Sequence, residues 1–452
     1  MTTDTRASGR SRGYGRGPQV PEGAGGERLL AGWLATGHAA DLPEHLARYG
    51  AVPSFTAHGR DEHPLIDAVA RAGLTGRGGA GFPTAAKMRA VAGAKRPERM
   101  VVANGMESEP VAGKDKALLH LAPHLVLDGI VLAAAAVGAT EAHLCVARDR
   151  AGLDRELRGM IAERRYNGFD PIQIQVHTPP HHYVSSEASA LVNWLGGGEA
   201  KPTTTPPRTA ERGVGGLPTL VDNVETLAHL ALIARYGPAW FRSRGTAANP
   251  GTTLVTLAGA LPAPGVYEVA YGTALPEVLS LGGAPREVQA VLVGGYFGTW
   301  LPASHAAAFA YSGPELAGAG ASPGAGILAA LPESSCGLAE TARVLEFLAA
   351  HSARQCGPCR FGLPATAADF GQLAFGHCDH AARRRLEHHV ALLTGRGACK
   401  HPDGAARLAA SALRAFAPEV RRHLQSGPCH AALHAPPLLP TPAAEIGDGD
   451  WR

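Results

Sequence analysis

The sequence predicts an α/β fold: a Rossmann-like unit, then a small β-grasp-like domain, then a helical domain. Three observations carry this. From residue 27 to about 240, short apolar runs alternate with helix-like stretches, as strands joined by crossover helices do. Within residues 250–312, Tyr267, Val269 and Tyr271 alternate with Glu268 and Ala270, as on a half-buried strand. Residues 330–425 read almost wholly as helix, with cysteines in the connections.

Residues 1–26 are rich in Gly, Arg and Ser and are expected to be a disordered tail. They lack the apolar core of a signal peptide. A helix is expected over Thr84–Ala94. Strands are expected at Met100–Ala103, His143–Val146 and Ile172–Val176, with helices at Lys114–Val137, Ala151–Arg164 and Glu187–Leu195. Asn104 follows the first strand directly, so the loop Asn104–Pro110 belongs at the carboxyl rim of the sheet, where such folds bind ligands. Further strands are expected at Thr252–Leu257 and Ala290–Val293, with a turn at Pro264-Gly265. Residues 312–326 read as a connection. Val344, Leu345, Phe347 and Leu348 give Thr341–Ala350 a helical spacing, and residues 426–452 read as a loose Pro/Ala-rich tail.

The net charge of +3 on 452 residues gives no ground for a nucleic-acid partner. The most apolar run, Leu125–Ala139, is short for a membrane span and contains Asp128, so no transmembrane segment is expected. A cytoplasmic protein is expected, peripheral at most to a membrane complex. Cys145 sits in a predicted strand and reads as a buried apolar residue. Cys336, Cys356, Cys359, Cys378, Cys399 and Cys429 cluster late, which suggests a metal or redox site more than a disulfide framework.

The densest chemical signal is Gly76-Arg77-Gly78-Gly79-Ala80-Gly81-Phe82-Pro83-Thr84, with Lys87 on the next turn. Glycines leave the main chain bare, so a planar or anionic ligand can approach its N–H groups. The following helix start adds its own amides. Such parts suit a nucleotide phosphate or a flavin.

Taken in order, the glycine loop, Asn104-x-x-Glu107-x-Glu109-Pro110, Tyr183-x-x-x-Glu187, Asn223-Val224-Glu225-Thr226 and the cysteine-bearing helices resemble the NADH-oxidising flavoprotein subunit of respiratory complex I. The matching subunits of NAD-reducing hydrogenases and formate dehydrogenases share the pattern. The resemblance spans roughly residues 60–424. It implies FMN, NAD(H) and an iron–sulfur cluster as cofactors, and an SLBB-like identity for the β-grasp domain. It implies cofactor contacts at Gly76, Arg77, Gly78, Gly79, Gly81, Phe82, Lys87, Asn104, Glu107, Glu109, Tyr183, Glu187, Asp222, Asn223 and Thr226. Glu107 and Glu187 are the implied catalytic pair, and Cys356, Cys359 and Cys399 the implied cluster ligands. Helix capping and turn chemistry suit Asn104, Asn223 and Thr226 as well.

The departures from that pattern are concentrated. Met106 replaces an Asp, and the loop around it also resembles Rnf-complex C subunits. Ser186 and Ala188 replace a Gly and a second Glu beside the nicotinamide. Ala90 and Arg208 replace two aromatics that stack on adenine, leaving Phe82, and Asp222 replaces an Asn. Ala353 stands where the first cluster cysteine is expected, so three thiolates remain for a 4Fe-4S or 3Fe-4S cluster. His351, Cys336 and Cys378 are candidate replacements, and Cys356, Cys359, Cys399 and His401 would also make a zinc set. The implied function is NADH oxidation through FMN, with electrons passed to the cluster and then to a ferredoxin-like or other redox subunit. The alternatives are a flavin/iron–sulfur relay that does not use NADH and a cofactor-free scaffold.

Overall fold

The computed structural model describes residues 27–55, 63–150, 152–283, 287–443 and 446–452. The expected N-terminal tail lies outside them. Four strands, β1 (Met100–Gly105), β2 (Glu141–Val146), β3 (Gln173–His177) and β4 (Thr219–Asn223), form a wholly parallel sheet in the order β3-β2-β1-β4. The three expected strands are there. β4 carries only two aliphatic residues, Leu220 and Val221, and periodicity did not reveal it.

Helices cover the sheet. Pro123–Val137 is buried along nearly its whole length and packs on Val224–Arg242. The expected single helix Lys114–Val137 is two helices, Lys114–Leu121 and Pro123–Val137, bent by 96°. Pro123 has no N–H to continue the first helix and suits the first position of the second. Among the described residues, no single helix is long and apolar enough to cross a membrane.

Asp128, inside that apolar helix, is the hub of a buried ionic network. Its carboxylate accepts from Arg164 Nη2 (2.8 Å), Arg235 Nη2 (2.6 Å) and His45 Nε2 (2.7 Å). These partners hold its pKa down to about 2 against the opposing effect of burial. Three helices are thereby pinned to the central one.

The second sheet contains β5 (Thr252–Gly259), β6 (Gly265–Ala270), β7 (Val288–Val293), β8 (Thr299–Pro302) and β9 (Ile327–Pro332) in the order β6-β5-β9-β7-β8. β5 and β9 are parallel and the other pairs antiparallel, with the helix Leu275–Leu281 packed on the same core. The expected connection 312–326 contains a short helix, Gly313–Gly318, capped by Ser312. The chain then enters a bundle of Gly337–Ala350, Leu363–Phe375, His380–Leu393, His401–Ala415 and Ala417–Ser426.

The C-terminal segment does not trail loosely as expected. Leu438 and Leu439 N–H both donate to Glu340 Oε2 at 3.0 Å, Tyr296 Oη–H donates to Pro440 O, and Ala200 N–H donates to Trp451 O at 2.8 Å. Its prolines left the chain without periodicity, yet a buried carboxylate supplies the acceptors that hold it.

Removing Asp128 takes a shared buried carboxylate from Arg164, Arg235 and His45 and leaves Arg164, which is 1 % exposed, with Asp170 as its ionic partner. Asp128→Ala should therefore cost about 3–5 kcal/mol in denaturant unfolding, and Tyr166→Ala at an exposed site in the same helix as Arg164 about 0.5 kcal/mol or less.

Candidate functional site

β1 and β4 are neighbours, whereas β1 connects onward to β2 on its other side. The connections thus diverge between β1 and β4, and a crevice opens at their carboxyl ends. Asn104, next to last in β1, and Asn223, last in β4, sit directly opposite each other. Asn104 Nδ2 donates to Ser186 O (2.7 Å), and its Oδ1 accepts from Met106 N–H (3.2 Å). Asn223 caps the helix Val224–Arg242 by accepting from Glu225 N–H (3.0 Å), and its Nδ2 donates to Asp115 Oδ2 (2.6 Å). Both asparagines therefore shape the rim as well as facing the crevice.

The glycine loop folds over this rim. It is closed at its base by a bridge between Thr75 and Pro83, and Arg77 N–H donates to Thr226 Oγ1 (2.9 Å). Gly79 and Gly81 have φ of +105° and +62°, where a side chain would strain the turn. A Cβ on Gly78 would lie 3.4 Å from Asn223 Cβ, so the loop backbone rests on the asparagine.

Charge is concentrated beneath the loop. Lys114 is 4 % exposed and donates to Asp115 Oδ1 (2.7 Å), Glu225 Oε2 (2.9 Å) and Asn223 Oδ1 (3.3 Å). Its two carboxylate partners raise its pKa despite burial. Burial raises Asp115 to about 6, while Lys114, His229 and Arg77 hold Glu225 well below the usual carboxylate range. Glu107 adopts φ +33°, a conformation uncommon outside glycine. Its two oxygens accept from Asp115 N–H (2.9 Å) and Lys116 N–H (3.1 Å), capping the helix Lys114–Leu121. Glu187 similarly caps the helix Ala188–Leu195 by accepting from Ser189 N–H (2.9 Å).

The opposite wall comes from the β-grasp and helical domains. Tyr183 is buried and meets Phe297, Phe347 and His401 edge to face, at ring separations of 4.9, 5.8 and 5.6 Å. Its hydroxyl donates to Glu109 (3.2 Å), which also accepts from Tyr296 N–H (2.7 Å). A Cβ on Gly295 would lie 2.2 Å from Glu109 Oε1, so that glycine makes room for the carboxylate. Cys399, Lys400 and His401 complete the wall.

Cys399 belongs to a thiol corner. Cys359 lies on the turn Pro358–Gly362 and is buried; desolvation and the proximity of Cys356 and Cys399 raise its pKa. Ala353 is buried nearby in sequence and offers no ligand. Its candidate replacements are engaged elsewhere: Cys336 with Glu419 and His423, Cys378 with Asp379 O, and His351 against the Phe347 ring at 4.1 Å. His401 Nε2 meets Leu348 O at 2.8 Å and its Nδ1 has no partner, but no three of Cys356, Cys359, Cys399 and His401 bring ligand atoms within 4.8 Å of one another, so the zinc set is not assembled.

One cleft thus brings together Arg77, Gly78, Asn104, Glu107, Glu109, Tyr183, Glu187, Asn223 and Cys399. Gly76, Gly79 and Gly81 face a second cleft on the other side of the loop, with Tyr271 and Tyr311. Lys87 instead pairs with Asp222 (2.7 Å), Phe82 is 46 % exposed, and Thr226 holds the loop from behind. Lys114, Asp115, Phe297 and Lys400 escape the sequence reading, and His401 enters it only as a zinc candidate. The signals available were Lys-Asp at the helix start after the acidic loop and an aromatic pair inside Gly294-Gly295-Tyr296-Phe297-Gly298.

Two family models match this chain. The Nuo51 FMN-binding domain covers residues 69–232, and the NADH-ubiquinone oxidoreductase-F iron-sulfur binding region covers residues 339–423. The second F subunit of NADH-quinone oxidoreductase in Rhizobium meliloti is 30 % identical over 81 % of this chain and 90 % of its own length. The Mycobacterium tuberculosis F subunit is 32 % identical over 81 % and 85 %. This chain belongs to the family of NADH-quinone oxidoreductase F subunits. NADP-reducing hydrogenase subunit HndC of Solidesulfovibrio fructosivorans is also similar, at 31 % identity over 81 % of this chain and 77 % of that one. A chain of the NAD+-reducing NiFe-hydrogenase in its H2-reduced state superposes with a TM-score of 0.78, at 30 % identity over 90 % of this chain and 68 % of its own. The resemblance to the complex I flavoprotein, the α/β fold class and the flavin and iron–sulfur regions expected from sequence are all borne out.

In this member of the NADH-quinone oxidoreductase family, burial pushes the Glu109 carboxyl up to about 8 from an ordinary 4.5. The native state then holds a proton that the unfolded chain has released between those values, so stability falls as pH rises through that window. Glu109→Gln should remove that part of the loss: its thermal midpoint should drop less between pH 6 and pH 8.5 than that of the parent. An equal drop in both proteins would show that Glu109 does not titrate in this range.

Proposed function

We infer that this chain oxidises NADH through FMN held in the cleft beneath the glycine loop and passes the electrons to an iron–sulfur cluster at Cys356, Cys359 and Cys399. One observation carries the reading. Cys399, a cluster ligand, lines the same cleft as the glycine loop and the Asn104/Asn223 pair. The bare glycine-loop backbone and polar rim on one side and the aromatic wall on the other face each other across this cleft, the parts that a planar, anionic flavin uses. Thiols suit iron, and three are present at the corner.

FMN held there would supply a hydride acceptor able to release electrons singly, and a cluster held by the three thiolates would supply a one-electron carrier. The chain's own residues position rather than react. Glu107 and Lys114 hold the helix start against the rim. Asn104 and Asn223 present amide groups to the crevice. Tyr183 and Phe297 exclude water between the flavin cleft and the thiol corner. No side chain is needed as general acid or base for hydride transfer, since alignment over the flavin supplies the catalysis.

The nicotinamide side is thinner than the family pattern. Ala90, Ala188 and Arg208 replace groups that would contact the dinucleotide, and Ala90 and Arg208 are exposed with Phe82. Two missing stacking rings amount to roughly a tenfold to few-hundredfold loss of NADH affinity. That exposed side favours one second reading, a relay in which another redox protein reduces the flavin. Relatives of this chain are subunits of redox complexes. A ferredoxin-like subunit is the proposed acceptor, with the chain peripheral to any membrane.

An anaerobic absorption spectrum before and after NADH separates the readings. Bleached flavin bands are expected; bands that persist with NADH but bleach with dithionite would favour the relay, and a colourless protein after reconstitution would sink both. Cys399→Ser should keep the NADH-driven bleaching and lose the cluster's paramagnetic signal. Ala353→Cys should retain four irons per chain through aerobic purification where the parent retains about three. Unchanged iron content would count against a cluster at this corner.

A further inference from the structure

A second sulfur–nitrogen corner lies outside both clefts. Cys336 directly precedes the helix Gly337–Ala350, His423 lies in the last turn of Ala417–Ser426, and Cys429 lies just past Gly427, whose φ of +79° turns the chain back. One ligand atom from each lies within 4.8 Å of the other two. Among the described residues, no other set of three His, Cys or carboxylate side chains converges this closely. Cys336 and His423 are 2 % and 1 % exposed.

The histidine is already oriented. His423 Nδ1 lies 3.0 Å from Leu373 O and donates to it, which makes Nε2 the acceptor nitrogen on the side of Cys336 and Cys429. Cys336 Sγ lies 3.9 Å from Nε2, and Cys429 N–H donates to Nε2 at 3.2 Å. Glu419, one turn before His423 on the same helix face, brings Oε2 to 3.5 Å from Cys336 Sγ. Its Oε1 accepts from Gln289 Nε2 at 2.9 Å, which fixes the carboxylate.

We propose that Cys336, His423 and Cys429 bind a structural zinc ion, with Glu419 as the fourth ligand. Two thiolates, one imidazole and one carboxylate make a closed tetrahedral donor set for this metal. Zn–S of about 2.3 Å and Zn–N of about 2.0 Å place sulfur and nitrogen about 3.5 Å apart, so the observed 3.9 Å closes with a few tenths of an ångström of movement. Binding releases the two thiol protons to solvent and displaces the Cys429 N–H from Nε2, and nothing is oxidised or reduced. The ion would tie the end of β9 and the last bundle helix to the C-terminal segment. That segment continues to Glu340 and to Tyr296, which holds Glu109 in the cleft wall.

The test is zinc and iron content of the purified full chain by mass spectrometry, with zinc supplied and then dialysed away. About one zinc per chain is expected. Cys336→Ser and Cys429→Ser should each fall below about 0.1 with iron unchanged, while Cys356→Ser should lose iron and keep zinc. Zinc retained by the Cys336/Cys429 double variant, or absent from the parent, would overturn the proposal. So would a Cys336–Cys429 disulfide in anaerobically purified, metal-free chain. If the variants fail to fold, zinc-edge X-ray absorption on the parent decides: two sulfurs near 2.3 Å with two lighter ligands near 2.0 Å support the site. Four sulfurs, or none, place the metal elsewhere and refute it.

Discussion

The cleft depends on burying one ammonium group. Lys114 is enclosed by Asp115, Glu225 and Asn223, residues drawn from two segments more than a hundred positions apart. A buried charge is tolerable only when its partners are in place, so this cluster fixes the acidic loop, the β4 terminus and the helix after it as one unit. Glu225 extends the constraint, because its other oxygen accepts from Thr253 Oγ1 (2.9 Å) and Leu254 N–H (3.0 Å) on β5. A single carboxylate thus couples the parallel sheet to the β-grasp domain. Arg77 adds a second tie, with its guanidinium over the Tyr271 ring at 4.7 Å and a hydrogen bond to Thr252 O.

On the other wall, Glu109 plays the corresponding part. It takes a main-chain N–H from the β-grasp domain and a hydroxyl from Tyr183, whose ring is embedded among residues of the helical domain. Three domains therefore meet around two carboxylates, and the thiol corner is held against the cleft by buried aromatic packing. Directional polar contacts set the register of that packing, while the apolar contacts supply most of its free energy.

Much of this was legible because it is local. A glycine loop, strand-ending asparagines and an apolar helix with a lone Asp128 declare themselves through residue type and spacing. The failures were of two kinds. The helix 114–137 was read through its proline because its hydrophobic periodicity continues while its axis bends by 96°. The C-terminal segment was read as loose because its composition has no period, although a distant carboxylate holds it.

By itself, the sequence determined the α/β class, the glycine loop, the asparagine pair, the cysteine corner with Ala353 in it, and the resemblance that carried family and cofactors. Only the tertiary structure decided that Cys399 shares a cleft with the loop, that Lys87 turns to Asp222, and that Lys114, Phe297 and His401 belong to the site. It alone joined Cys336, His423 and Cys429. The reason is physical. Spacing along the chain reports which face of a helix or strand a residue occupies, whereas the partner of a buried charge or thiol is set by desolvation across elements distant in sequence.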